Sequence, residues 1–288
     1  MPESKRIREI RNGIIEELPR FNRNDKASKK LLEEKSLGSL FINYFNWRMR
    51  FVSQGKRSVT IKNTAKNDLR WNELEVNVAN LLRKVRNGDD LSPHLSLAAW
   101  QKGYTPEAEK QGAKDDRWAD KDFLLNVMGF HHFHLGTNIE KKGIVTRTDV
   151  VLFAYVTRTK FIVLGLFDHS VFDNEDSSAM TNERKRLWEL YDEVTLDGVE
   201  PGTVVIRNLI AESGHSLMVV SLSQHYAKTI QNIDPKLDDQ EYLETEVYGL
   251  ANIPVPDKPD LHWACRHLDL FLIDKTIPAY FLVHRGPF

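Results

Sequence analysis

Apolar positions follow a helical spacing through the first third of the chain and gather into continuous runs in the second. Ile7, Ile10, Ile14, Ile15 and Leu18 recur every three or four residues, which predicts an amphipathic helix over 5–18 that ends near Pro19. Residues 31–44 repeat that pattern, although Gly38 weakens it. "NWRMRFV" alternates large apolar and basic residues and reads as a strand or the end of that helix. "KRSVTIK" is strand-like because Val and Thr are β-branched. Leu69, Leu74, Val78, Leu81, Leu82 and Val85 give the clearest helix, 68–86, stopped by the turn "NGDD". Residues 87–116 are mostly polar, with one short helix around Leu95–Gln101.

Beyond this connection a helix over 117–127 leads into "GFHHFHLG", and the texture changes. "TDVVLFAYVTRTKFIVLGLFDHS" holds two apolar runs of seven to eight residues separated by "TRTK". Their length and β-branched content predict strands buried on both faces. A helix follows at 181–193. "GTVVIRNLI" and "HSLMVVSL" are further strand candidates, and the chain closes on a hairpin turning at Asp274–Thr276. The fold class expected is α+β: a helical, basic N-terminal region (1–86), a connection (87–116), then an α+β domain (117–288) with a mixed, mainly antiparallel sheet and flanking helices.

Charge adds to this picture. The net charge of −1 conceals 20 Lys and Arg against 10 Asp and Glu up to Arg86, then 20 against 31. A basic segment of this kind meets an external anion such as RNA, or docks on the acidic remainder. The single cysteine, Cys265, excludes an internal disulfide and a thiolate zinc cluster and suits a reducing cytoplasm. No run of about eighteen apolar residues exists, so no membrane span is expected. The first twenty residues lack the apolar core of a signal peptide. Neither a phosphate-binding G-x-x-x-x-G-K-[ST] loop nor a G-x-G-x-x-G turn occurs.

The histidines carry the chemistry. If "FHHFHLG" is a strand, His132 and His134 share a face with Phe130, and His131 points to the other side. Short connections then predict an antiparallel meander of 130–135, 149–156 and 161–168. Its topology brings His134, Arg147, Thr148, Asp149, His169 and Ser170 to one edge. Three readings follow. His132, His134 and His169 could hold a metal, with Asp149 as ligand or outer partner. Without a metal, imidazoles move protons while Arg147 steadies a phosphate, with Asp149 orienting a histidine. Alternatively, the histidines are core residues. The metal-free reading makes His132, His134, Arg147, Asp149 and His169 the candidate catalytic set, with no cofactor and no metal.

"RTDVVLFAYVTRTKFIVLGLFDHSVF" resembles the terminal sheet of RelE-type ribonuclease toxins, in which an arginine opens one strand and a histidine or basic residue ends the next. Arg147 and His169 match those positions. The resemblance covers about forty residues and implies metal-independent RNA cleavage. The chain departs from it in its greater length, in the acids Asp168, Asp173, Glu175 and Asp176 near His169, and in lacking a lysine-rich helix before the sheet. The function expected is a toxin- or defence-type ribonuclease, with RNA and an inhibitor or antitoxin protein as partners. The alternatives are a non-catalytic nucleic-acid- or protein-binding module and a histidine-ligated metal-dependent hydrolase. Three other features carry less. Ser213, His215 and Ser216 lack a nucleophile elbow. Trp47, Phe51 and Trp71 lie among basic residues that could stack and bind nucleic acid. His262, Cys265 and His267 group near the C-terminus, where His284 and Arg285 end the last strand.

Overall fold

A computed structural model describes residues 3–20, 26–104, 124–175, 179–200, 202–205 and 209–287. The fold is α+β. In chain order its main elements are α1 (Lys5–Glu17), α2 (Lys26–Glu33), α3 (Leu37–Arg48), β1 (Ser58–Ile61), α4 (Asn63–Lys66), α5 (Trp71–Asn87) and α6 (Leu97–Gln101). There follow β2 (Phe130–His134), β3 (Val150–Val156), β4 (Lys160–Asp168), β5 (Asn174–Glu175), β6 (Ala179–Met180), α7 (Asn182–Leu196), α8 (Leu217–Ile233), β7 (Leu261–Arg266), β8 (Asp269–Asp274) and β9 (Ala279–His284).

The chain divides into two compact units, one of residues 1–49, 101–110 and 218–287, the other of 50–100 and 111–217 with residue 288. These units cut across the boundaries drawn from charge. Residues 50–86 belong with the histidine-bearing sheet, and the C-terminal meander belongs with the first helices.

In the first unit, α1 begins where Ser4 Oγ accepts the Ile7 N–H at 3.1 Å and buries Ile10, Ile14 and Ile15, as the spacing requires. β7, β8 and β9 form an antiparallel meander. "LHWACR" is therefore a strand whose alternation turns Leu261 and Trp263 inward, and His267 follows it in the turn. "HSLMVVSL" differs from expectation. Residues 217–222 open α8, which buries Val219, Ser223, Tyr226, Ala227 and Ile230 at helical spacing. The β-branched pair Val219–Val220 is a weak local preference that this longer periodicity overrides. Two buried carboxylates tie the unit together: Asp234 accepts from Arg6 and from the Trp263 indole, each at 2.9 Å, and Asp274 accepts from the Tyr248 hydroxyl at 2.6 Å.

The second unit is built on a four-stranded sheet of order β1-β4-β3-β2. The β2-β3-β4 meander is antiparallel, as the short connections require, while β1 adds parallel to β4. Phe130, Val151, Phe153 and Phe167 on one face join a core with Leu187, Leu190 and Tyr191 of α7. α5 ends at Gly88, whose φ of 82° is the left-handed cap that a glycine tolerates. Leu69 lies outside that helix and is 92% exposed. Of the two flanking segments, 124–128 is helical, while 117–123 lies outside the described residues. The strand expected in "GTVVIRNLI" is not seen at 202–205; Ile210 makes only an isolated bridge to Ser216.

Part of the basic excess is paired internally. In the first unit Arg6 meets Asp234 and Asp238, both at 2.9 Å. In the second, Lys62 meets Asp197 at 3.1 Å and Arg70 meets Glu183 at 3.4 Å. Trp47 and Phe51 are buried, so these rings are packing residues rather than an exposed stacking platform.

Gly136 marks the base of the β2–β3 connection. A Cβ there would collide with the Thr146 carbonyl oxygen, and backbone cannot yield as a flexible side chain can. Gly136→Ala is expected to displace the segment carrying Arg147, seen as protease sensitivity at residues 137–147 without loss of the far-ultraviolet circular dichroism of the rest.

A candidate active site at one end of the four-stranded sheet

The antiparallel register sets His134 opposite Val151 and Val150 opposite Asp168, so the end of β2, the start of β3 and the end of β4 share one end of the sheet. His169 follows β4 directly in a 3-10 turn, His169–Phe172. Its ring stacks on that of His134 with centroids 5.8 Å apart and planes 27° apart. Thr148 bridges the neighbouring strands: its Oγ1 accepts the Leu135 N–H at 3.2 Å and donates to Val150 O at 2.6 Å.

Burial divides the two imidazoles. His134 is 3% exposed, while His169 is only partly covered. His169 Nδ1 lies 3.0 Å from the main-chain oxygen of Asp149. A carbonyl only accepts, so Nδ1 carries hydrogen, and in the neutral form of the ring the lone pair falls on Nε2. The contact to His169 is made by the Asp149 main-chain carbonyl and not by its carboxylate. Arg147 and Asp149 are exposed on the segment entering β3.

His132 lies on the same face as His134, one pair further into the sheet. Its ring packs against Phe172 at 4.9 Å and Phe153 at 5.8 Å, and Phe172 in turn touches His169 at 6.1 Å. The structure therefore brings His134, His169, Asp149 and Arg147 to one end and sets His132 among aromatic rings. His131 faces the opposite side, stacked near Phe133. Among the described residues no group of three or more His, Cys, Asp or Glu side chains is placed to hold a metal ion.

A charged cluster braces the His169 turn. Asp168 accepts from the Ser170 N–H at 2.8 Å and its hydroxyl at 2.5 Å, and Thr181 Oγ1 donates to Ser170 O at 2.8 Å. Beside it, Asp68 takes hydrogen bonds from Arg70 at 2.8 Å and Arg186 at 2.9 Å, and both guanidiniums also donate to Leu166 O. Arg186 lies 4.1 Å over the Phe167 ring. Burial alone would push the Asp68 carboxyl up, but the hydrogen bonds from Arg70 and Arg186 outweigh it and hold it at about 2. The folded value lies below that of an unfolded aspartate, about 3.9. The Asp68 contribution to stability is therefore present above about pH 4 and is lost as pH falls towards 2. Asp68→Asn is expected to flatten that part of the acid-unfolding profile, measured by urea midpoints between pH 2 and 5.

Sequence reasoning missed three residues that touch this end. Asn77, Lys84 and His94 lie more than thirty-five residues before β2 and reach the carbonyls of His134 and Leu135 directly or through one another. Asn77 and Lys84 are seven apart on one helix, a spacing that identifies a common face only once the partner of that face is known.

The other histidines sit elsewhere. His215 Nδ1 lies 3.0 Å from Ser213 Oγ in an exposed turn. In the first unit, His262 contacts Glu9 at 2.7 Å and Asp260 at 2.9 Å, and burial pushes the Cys265 thiol well up. His284 packs on His225, with centroids 4.7 Å apart.

No known protein family, curated protein or solved structure matches the chain. No described helix is long and apolar enough to cross a membrane.

Proposed function

We propose that this end of the sheet is a metal-independent, RNA-cleaving site of the toxin or defence type. The observation that carries the proposal is the His169 ring: its Nδ1 proton is held by the Asp149 carbonyl, its Nε2 is left as a base, and the exposed Arg147 is nearby in the chain. His169 Nε2 takes the proton of a ribose 2′-hydroxyl. The 2′-oxygen bonds to phosphorus, the bond to the 5′-oxygen breaks, and that oxygen takes a proton from water. Arg147 offsets charge growing on the phosphate oxygens. The products are a 2′,3′-cyclic phosphate and a 5′-hydroxyl, and His169 returns its proton to solvent. His134, stacked behind, supports the base and is not placed to meet the substrate first. RNA is the expected substrate, and an inhibitor or antitoxin protein the expected controlling partner.

A non-catalytic binding module is the second reading, favoured by the near-complete burial of His134 and by the aromatic packing of His132. Labelled RNA and single-stranded DNA, incubated with the protein with and without chelator, separate the two. Cleavage of RNA that resists chelator supports the site; RNA bound and recovered intact supports the module; cleavage abolished by chelator contradicts the metal-free chemistry.

A further inference from the structure

Two consecutive carbonyls at the end of β2 are held from a single helix. Asn77 of α5 donates its side-chain amide to Leu135 O at 2.8 Å. Seven residues on, two turns along the same face, Lys84 Nζ lies 3.0 Å from His94 Nε2. His94 Nδ1 lies 2.8 Å from His134 O.

The proton positions follow from the partners. His134 O only accepts, so His94 Nδ1 carries hydrogen, and the Nε2 lone pair of the neutral ring receives the Lys84 ammonium. His94 is 3% exposed; burial, helped by the Lys84 charge, holds it below the ordinary imidazole value against the opposing bond to His134 O. Protonation would set a second N–H against an ammonium and end that contact. The ring thus stays neutral in one tautomer. The preceding residue also takes part: Pro93 O accepts the Val145 N–H at 2.8 Å, anchoring the segment that leads to Arg147.

We propose that His94, seated by Lys84, is a positioning residue that sets the placement of His134 and, through it, the His134–His169 stack. The kinetic part of this inference rests on the reading of that end as catalytic; the structural part does not. It assigns to a buried histidine, far from the others in sequence, the task of fixing a strand end to which it contributes no backbone pairing.

The test uses the full chain and three variants: His94→Phe, which keeps a ring but no donor; His94→Asn, whose amide keeps a donor near the Nδ1 position; and Lys84→Met. Side-chain NMR of nitrogen-15-labelled histidines follows the signals and pH titrations of His134 and His169, and kcat and KM are measured on labelled RNA. In His94→Phe the His134 and His169 signals are expected to move and kcat to fall about tenfold or more with KM within about twofold, since small misplacement costs rate more than binding. His94→Asn is expected to stay near the wild type in both, and Lys84→Met to follow His94→Phe by a smaller amount. Lys84 is half-buried, so that variant carries the test should His94→Phe fail to fold. Unchanged His134 and His169 titrations in folded His94→Phe or Lys84→Met overturn the inference. A wild type that cleaves no RNA sinks the proposed function alone, and the NMR comparison then decides the positioning role.

Discussion

Replacing His169 by alanine is expected to reduce RNA cleavage by about 10²–10⁴-fold, the range for removing a positioned general base. The fold should survive, because the ring is only partly covered and its polar contact among the described residues is a bond to the Asp149 carbonyl at 3.0 Å. KM should change little, since phosphate attraction is assigned to Arg147. Circular dichroism melting beside steady-state kinetics on labelled RNA checks both halves. A folded His169→Ala variant with wild-type kcat would remove the base from the scheme. A variant that unfolds would instead make the histidine a structural part of the β4 turn.

The second large effect falls on stability. Phe153→Ala is expected to cost roughly 3–5 kcal/mol, the usual range for deleting a buried ring and leaving a cavity. Phe153 is fully buried and touches Phe167 at 5.1 Å and Phe172 at 5.9 Å, with His132 on the same face at 5.8 Å. Phe172 stands between His132 and His169, so the cavity also loosens the turn that carries the proposed base. Urea unfolding measures the loss. A cost below about 1 kcal/mol would mean that the site collapses around the missing ring, contrary to the packing described.

What the sequence makes legible follows the range of the forces involved. The meander is visible because its strands are close neighbours, their apolar runs are continuous and "TRTK" is too short for anything but a reversal. From that meander alone, His134, Arg147, Asp149 and His169 can be placed at one end. α1 and α5 are visible because their apolar stripes, cap and stop residues agree. β1 beside β4 is not visible: a parallel pair between residues about a hundred apart has no local signature. β7 carries a period-two alternation, but His262, Cys265 and His267 draw the eye to chemistry before periodicity. α8 misleads because two valines suggest a strand over a window shorter than the helix. The division into units is hidden for a related reason, since charge says nothing about which segments pack.

Side-chain roles are legible to a lesser degree. That His132 packs between aromatic rings depends on Phe172, forty residues on. That Asp149 acts through its carbonyl cannot be known from residue type, because any residue offers that atom. The internal pairing of Arg6, Lys62 and Arg70 with distant acids shows why those basic residues carry no information about an external anion.

The central claim is that this end of the sheet cleaves RNA through its 2′-hydroxyl without a metal. Its most direct test is a labelled RNA oligonucleotide beside the same strand carrying a single 2′-deoxy sugar at the mapped cleavage position, both in excess chelator. The account predicts scission of the RNA alone, leaving a 2′,3′-cyclic phosphate. Equal scission of both strands, or none of either, would contradict it.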